Sequence, residues 1–370
     1  MPTRLTKLTI RGFKSIRELV DFAPQNLTVL IGPNGAGKSN FVSFFRFISW
    51  MLTPPGNLQS HVAKLGGANA ILHDGVARTP QCDAHLQIES DRGINEYRFR
   101  LFHGAGDTLI FAEEAYRFSD ASYSSPANWI SFGGGHLEAK LIGVAESGDP
   151  TAKFILGALR RCVVYQFHNT SDTARLKLKQ IRGDNRFLKE DAANLAPFLV
   201  RLHQEEPKYY ARILESIRLV LPFFADFDLH PVLGRVLLRW TERGCDVTFG
   251  PDQASDGMLR ILSLWTLLLM PESWLPAVLV LDEPELGLHP TAIVQLAGML
   301  NEVTLEHQAI VATQSTRLID EFEADQIVVV DRTDRESVFK RLNSKELKDW
   351  LGKYSMSELW EKNVVGGKPE

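Results

Sequence analysis

Residues 28–41 constrain this chain more than any other stretch. An apolar run at 29–31 leads into Gly32-Pro33-Asn34-Gly35-Ala36-Gly37-Lys38-Ser39-Asn40. That is the complete G-x-x-x-x-G-K-[ST] pattern, set between a predicted strand and a predicted helix. Glycines let the backbone wrap closely around a phosphate with its N–H groups turned inward. A helix beginning near Lys38 adds the positive end of its dipole. Lys38 supplies a point charge for the β- and γ-phosphates, and the Ser39 hydroxyl is placed to hold Mg²⁺. Residues Gly32, Pro33, Asn34, Gly35, Ala36, Gly37, Lys38, Ser39 and Asn40 are therefore the expected ATP-binding segment.

The 370 residues suffice for one large domain or two lobes. With 41 basic against 45 acidic residues, formal net charge −4, overall charge does not announce a nucleic-acid binder, and any DNA surface has to be a local patch. The cysteines, Cys82, Cys162 and Cys245, are widely separated and form no C-x-x-C pair. This supports neither a zinc site nor a disulfide framework and suits a reducing compartment. The first residues lack the apolar core of a signal peptide, and apolar stretches such as 261–270 are too short to span a bilayer. The expected setting is cytoplasmic, with no membrane partner.

Alternation predicts strands at 4–12, 19–22, 84–89, 96–102 and 108–118, with a weaker one at 136–144. The short turns between them suggest an antiparallel meander. Helical periodicity follows Lys38, with Phe41, Phe44, Phe45 and Ile48 on one face. A helix runs into an apolar strand at 162–165, and amphipathic helices occupy 191–220. Two strands, 232–240 and 246–249, precede an apolar helix starting at 257. Strands at 278–281, 309–312 and 326–330 then alternate with helices, and 344–362 holds two short helical patterns.

A second chemical signal closes the strand at 278–281. Asp282 and Glu283 fall at its carboxyl edge, where α/β sheets bind ligands. There Asp282 can take the Mg²⁺ hydration shell, and Glu283 can polarise an attacking water.

With these residues in hand, the chain resembles ABC-type ATPases of the RecF, SMC and OLD-nuclease branch, in particular its compact stand-alone members. Ile10-Arg11-Gly12-Phe13-Lys14-Ser15-Ile16 resembles the branch's first strand, whose turn faces the nucleotide, so Lys14 joins the expected ATP contacts. Ser255-Asp256-Gly257 resembles the signature motif, Asp282-Glu283-Pro284-Glu285-Leu286-Gly287-Leu288-His289-Pro290 the joined magnesium and dimer-loop motifs, and Ala312-Thr313-Gln314-Ser315 the switch segment. The resemblance spans the chain. It implies an α/β P-loop NTPase with an ABC-type head: a mixed or parallel core sheet, an antiparallel β subdomain, and a helical lobe carrying the signature.

By the same resemblance, residues 1–168 form the first ATPase lobe and 169–275 the signature lobe. Residues 276–343 return to the core sheet and 344–370 form a helical tail. Ser255 and Gly257 would contact the γ-phosphate held by a second copy, giving a homodimer in the ATP state. Ser39, Asp282 and Gln166 are the implied metal residues, with His168 an equal candidate for Gln166's lobe-linking place. Gln314 stands where many relatives carry histidine. An amide can hydrogen-bond the γ-phosphate but cannot take a proton, so the expected ATPase is slow, with Glu283 and Gln314 as its catalytic residues. His289 replaces the aspartate of transporters.

Neither coiled-coil arms nor a Toprim nuclease domain is expected, and the resemblance implies a bare head acting on or near DNA, in repair or anti-phage defence, with a separately encoded nuclease or effector. The alternatives are a transporter's nucleotide-binding subunit and a non-hydrolysing scaffold. For DNA, Arg175, Lys177, Lys179 and Arg182 lie in the one long stretch of positive excess. Their alternation with Leu176 and Leu178 predicts a strand with one basic face.

Overall fold

The computed structural model describes residues 3–54, 56–122 and 126–367. The chain divides into two compact units. One comprises Met1–Val164, Pro276–Val280 and Thr304–Glu370; the other comprises Tyr165–Leu275 and Leu281–Val303.

The chain opens with strands β1 (Arg4–Phe13), β2 (Ile16–Phe22) and β3 (Leu27–Ile31), then helix α1 (Lys38–Met51) and the short α2 (Leu58–Lys64). Helix α1 buries Phe41, Phe44, Phe45 and Ile48, the face its periodicity predicts. Phe13 from β1 meets Phe44 edge-on with centroids 5.5 Å apart, and Phe22 from β2 meets Phe41 at 5.4 Å. Burying rings of this size stabilises by roughly 1.5–3 kcal/mol each, so helix and sheet hold one another around the loop that joins β3 to α1.

Strands β4 (Gln81–Ser90), β5 (Gly93–Gly104), β6 (Thr108–Asp120) and β7 (Ile130–Gly133) complete an antiparallel sheet ordered β2-β1-β4-β5-β6-β7. The strand expected at 136–144 is absent. His136 makes a single bridge to Phe111, and the chain then coils into α3 (Lys140–Glu146). The cause is a buried carboxylate. Glu114 accepts hydrogen bonds from the amides of Lys140 (2.9 Å) and Leu141 (3.1 Å), from Tyr97 Oη (2.8 Å) and from His136 Nε2 (2.8 Å). An acid in β6 thus satisfies the free amides at a helix start that local sequence does not cap.

Helix α4 (Pro150–Arg160), capped by Asp149, and strand β8 (Cys162–Tyr165) follow. The second unit holds β9 (Gln180–Ile181), α5 (Leu195–Glu205), α6 (Pro207–Val220), β10 (Phe224–Phe227), β11 (Arg235–Val236), β12 (Trp240–Glu242), β13 (Thr248–Phe249) and α7 (Asp256–Leu269). The two strands expected at 232–240 and 246–249 are broken into β11, β12 and β13, which pair in two separate small sheets, β9 with β11 and β10-β12-β13.

The core sheet is built from β14 (Val278–Asp282), β15 (Gln308–Thr313), β16 (Ile327–Thr333) and β17 (Glu336–Arg341), with α8 (Pro290–Val303) and α9 (Thr316–Ile319) in the connections. Its order is β17-β16-β3-β15-β14-β8. β3 is parallel to both β15 and β16, with Ile31 opposite Thr313 and Val329. Every residue of β3, β14 and β15 is buried, the pattern of strands covered on both faces. β17, which the sequence reading did not anticipate, returns antiparallel to β16 through Asp334-Arg335, both at positive φ. α10 (Lys348–Leu351) and α11 (Met356–Glu361) end the chain.

Candidate nucleotide site

The parallel pairing puts the ends of β3 and β15 at one edge of the core sheet, so Gln314 leaves the sheet beside the phosphate-loop segment. That segment approaches β16 closely: a Cβ on Gly32 would lie 2.0 Å from the Val330 carbonyl oxygen. Gly35 (φ 80) and Gly37 (φ 113) are left-handed, and Gly37 is the N-cap of α1. Side chains at these positions are strained or excluded, which leaves an open cradle at a helix N-terminus, the arrangement that binds phosphate.

Lys38 is buried, and its Nζ donates to the loop carbonyls of Gly32 (2.5 Å) and Pro33 (3.1 Å). Its ammonium is thereby held over the cradle. Ser39 is exposed on the first helical turn, where a hydroxyl suits a hard Mg²⁺ ion. Asn34 and Gly35 are also exposed.

A hydrogen-bonded chain that the sequence reading missed braces the loop from behind. Asn40 Nδ2 lies 2.7 Å from Ser15 Oγ, which lies 2.7 Å from Ser337 Oγ, which reaches the Ala36 carbonyl at 2.6 Å. A hydroxyl has one proton and a carbonyl only accepts. Ser337 therefore donates to Ala36, Ser15 to Ser337, and Asn40 to Ser15. Ser337 comes from β17, so nothing near the motif in sequence announces it. Asn40, expected at the nucleotide, spends its amide on this brace.

Lys14 adopts φ 50, and its Nζ donates to Ser43 Oγ on α1 at 2.9 Å. Burial and then the charge of Arg46 hold its pKa below the ordinary lysine value. With Ser15 and Asn40 it lines a polar groove whose other wall carries Asp74 and Arg335, ion-paired at 2.9 Å.

In the second unit Asp282, nearly buried, ends β14. Both residues left open for the lobe-linking place converge on it. Gln166 Nε2 donates to Asp282 Oδ2 at 3.2 Å and lies 3.1 Å from His168 Nδ1. His168 Nε2 lies 2.9 Å from the Asp282 carbonyl, so Nε2 carries the proton and Nδ1 accepts from Gln166. The carboxylate contact thus belongs to Gln166, and the backbone contact to His168. Glu283 is half-buried at φ 46, a conformation costly for a non-glycine residue and concentrated at functional sites.

Helix α7 begins at Asp256, one residue earlier than expected, with the Ser255 hydroxyl accepting from the Met258 amide at 3.2 Å. Gly257 is required for close approach, since a Cβ there would lie 2.8 Å from the Gly287 carbonyl oxygen. Arg260, one turn further along α7, was not anticipated. It donates to the carbonyls of Leu286 (2.9 Å), Phe167 (3.3 Å) and His168 (3.3 Å), tying α7 to the segments on either side of Asp282.

The expected basic strand is not one. Arg175–Lys177 is a single 3-10 turn, because Ala174 and Leu176 are buried while Leu178 is exposed, which breaks the strict alternation. The Lys177 side chain is only 7% exposed and pairs with Asp172 at 3.6 Å, and Arg175 pairs with Asp191 at 3.3 Å. Of the proposed set, Lys179 and Arg182 stay exposed without a carboxylate partner among the described residues.

The fold and its phosphate loop are those of a P-loop NTPase. Two solved structures of this type align over nearly the whole chain. One is an Smc head bound to the C-terminal winged-helix domain of ScpA (TM-score 0.61, 16% identity, 93% of this chain and 99% of that one). The other is an Smc head with an extended coiled coil bound to the C-terminal domain of ScpA from Pyrococcus furiosus (TM-score 0.59, 14% identity, 95% and 99%). At these identities they share the fold. The chain belongs to the family described as "AAA domain, putative AbiEii toxin, Type IV TA system", whose model matches residues 27–136 and 154–320. A segment of 95 residues, 24% of this chain, is 33% identical to urease accessory protein 2 of Cryptococcus neoformans var. grubii, but it spans only 7% of that protein. No helix among the described residues is long and apolar enough to cross a membrane.

Proposed function

We propose that the chain is a slow ATPase that works as a switch: two copies join head-to-tail around ATP, and the joined form acts on or near DNA together with a separately encoded partner. The observation that carries this reading is the phosphate cradle, with left-handed Gly35 and Gly37 at the N-terminus of α1 and the Lys38 ammonium poised on loop carbonyls. Phosphate oxygens would replace those carbonyls as acceptors for Lys38. Ser39 and Asp282 are assigned to Mg²⁺, with Gln166 holding the Asp282 carboxylate in place. Bound Mg²⁺ would neutralise charge on the phosphates.

Glu283 is assigned as the base toward water, supported by its strained backbone. Gln314 is assigned to the γ-phosphate; its amide orients without moving a proton. Ser255 and the amides at the start of α7 are assigned to the γ-phosphate bound by the second copy. The partner reading draws support from the toxin–antitoxin wording of the matched family and from the ScpA-bound state of the two Smc heads.

Lys38→Ala tests the core of the proposal. A hydrogen bond to a charged group contributes ~1.5–3 kcal/mol, so affinity for a fluorescent ATP analogue should fall by at least ~10-fold. Wild-type affinity in that variant would withdraw the nucleotide assignment.

A further inference from the structure

The ribbon formed by β9 and β11 presents one face to the protein and one to solvent. Ile181 pairs with Arg235 and Gln180 with Val236. Val236 is fully buried, so Ile181 and Arg235 occupy the outer face; Ile181 is 63% exposed. The chain enters β11 through a tight turn in which Val232 bridges Arg235. Leu233 (φ 49) and Gly234 (φ 72) are both left-handed there, the conformation of a turn that favours Asn-Gly or Gly-Gly. A leucine sits instead, strained and 98% exposed. Local stability and solubility both argue against leucine at that position.

Arg235 closes this turn, and Lys179 and Arg182 flank β9, the strand paired with it; all three are exposed. The Arg182 amide donates to the Gly234 carbonyl at 3.0 Å, which fixes its backbone beside the turn. None of the three meets a carboxylate within 4 Å among the described residues, whereas neighbouring Arg175, Lys177 and Lys189 are all ion-paired. The chain as a whole carries a net −4, so this unneutralised cluster is a local exception.

We propose that the 232–235 turn is a DNA-contacting wedge, with Leu233 entering the minor groove between base steps and Lys179, Arg182 and Arg235 on the flanking phosphates. The inference rests on the proposed action at DNA and names the element that performs it. A tight turn with one apolar side chain at its apex is narrow enough for a groove about 6 Å wide. Apolar wedges flanked by arginine and lysine are a known means of bending a duplex. A protein pocket would be served by Leu233 as well, but it would not call for three unneutralised cations on the same ribbon. Phosphates do.

The test uses the full chain, a short random-sequence duplex labelled at both ends, and phosphatidylserine vesicles as a competing surface. Leu233→Asn suits the left-handed turn, so it keeps the fold while removing the wedge. It should leave the salt dependence of binding unchanged, weaken affinity by about tenfold, and abolish the end-to-end approach seen by energy transfer. Arg182→Glu with Arg235→Glu should flatten the slope of log K against log salt by about 2. Basal ATP turnover should be that of the wild type in both variants. Wild-type bending and affinity in Leu233→Asn, or an unchanged salt slope in the double variant, would overturn the wedge while leaving DNA action standing. A wild-type protein that binds no duplex with or without ATP would remove the DNA reading itself; if it then bound the vesicles through Leu233, the turn would be a membrane contact.

Discussion

Ser337→Ala removes one oxygen from β17, far in sequence from the phosphate loop, and should nonetheless damage nucleotide binding. Ser337 is 4% exposed. Its hydroxyl closes the chain that runs from Asn40 through Ser15 to the Ala36 carbonyl, with links of 2.7, 2.7 and 2.6 Å. No water replaces a donor in so enclosed a place, so the Ala36 carbonyl and the Ser15 proton are left without partners. Each buried orphan costs ~1–3 kcal/mol, and relaxation of the loop would recover part of that. A net loss of about 2 kcal/mol is expected, and it falls on the loop itself. If half of that appears as disorder that ATP must reverse, affinity weakens by roughly fivefold, since 1.4 kcal/mol is a factor of ten. Calorimetric titration with a slowly hydrolysed ATP analogue and a thermal melt read the two halves. Val338→Ala is the control, because Val338 is the next residue of β17 and 46% exposed. An unchanged melt and unchanged affinity in Ser337→Ala would refute the claim that β17 organises the loop.

Glu283→Gln should retain ATP binding, lose turnover by ~10²–10⁴-fold, and accumulate an ATP-dependent dimer in light scattering that Ser255→Arg disperses; a variant that stays monomeric at every concentration counts against the head-to-tail model. Glu114→Ala should destabilise the first unit by about 2–4 kcal/mol, because it strands Tyr97 Oη, His136 Nε2 and two helix amides at once, and an unaltered denaturation midpoint would show that α3 does not depend on that carboxylate. Burial, then the charges of Lys14 and Lys64, hold His61 down to about 4 from an ordinary 6.5. Between those values the unfolded chain takes a proton that the folded chain refuses, so stability falls as pH drops through that window. His61→Gln should flatten this part of the urea-midpoint profile, and superimposable profiles would show that His61 is not its source.

The phosphate loop, the strand ending in Asp282-Glu283 and the Ser255 helix start were legible because each is a local rule: the backbone of a few consecutive residues dictates its composition. Helix α1 was legible for a related reason, as the face carrying Phe41, Phe44, Phe45 and Ile48 is a periodicity within one element. Most of the failures are partnerships between segments that no single element's pattern contains. Residues 136–144 alternate like a strand, yet Glu114 on β6 supplies the acceptors that let α3 start. Arg175, Lys177 and Lys179 read as one basic face, yet a 3-10 turn and the carboxylates of Asp172 and Asp191 divide them. Ser337 and Arg260 lie outside every motif, and only the antiparallel return of β17 and the second turn of α7 bring them to the loops they hold. Residue types alone set what chemistry is available at the phosphate loop and at Asp282. Which hydroxyls, amides and guanidinium groups keep those segments in place depends on packing at long sequence separation, because a hydrogen bond is short and directional and so exists only where the tertiary structure delivers both of its ends.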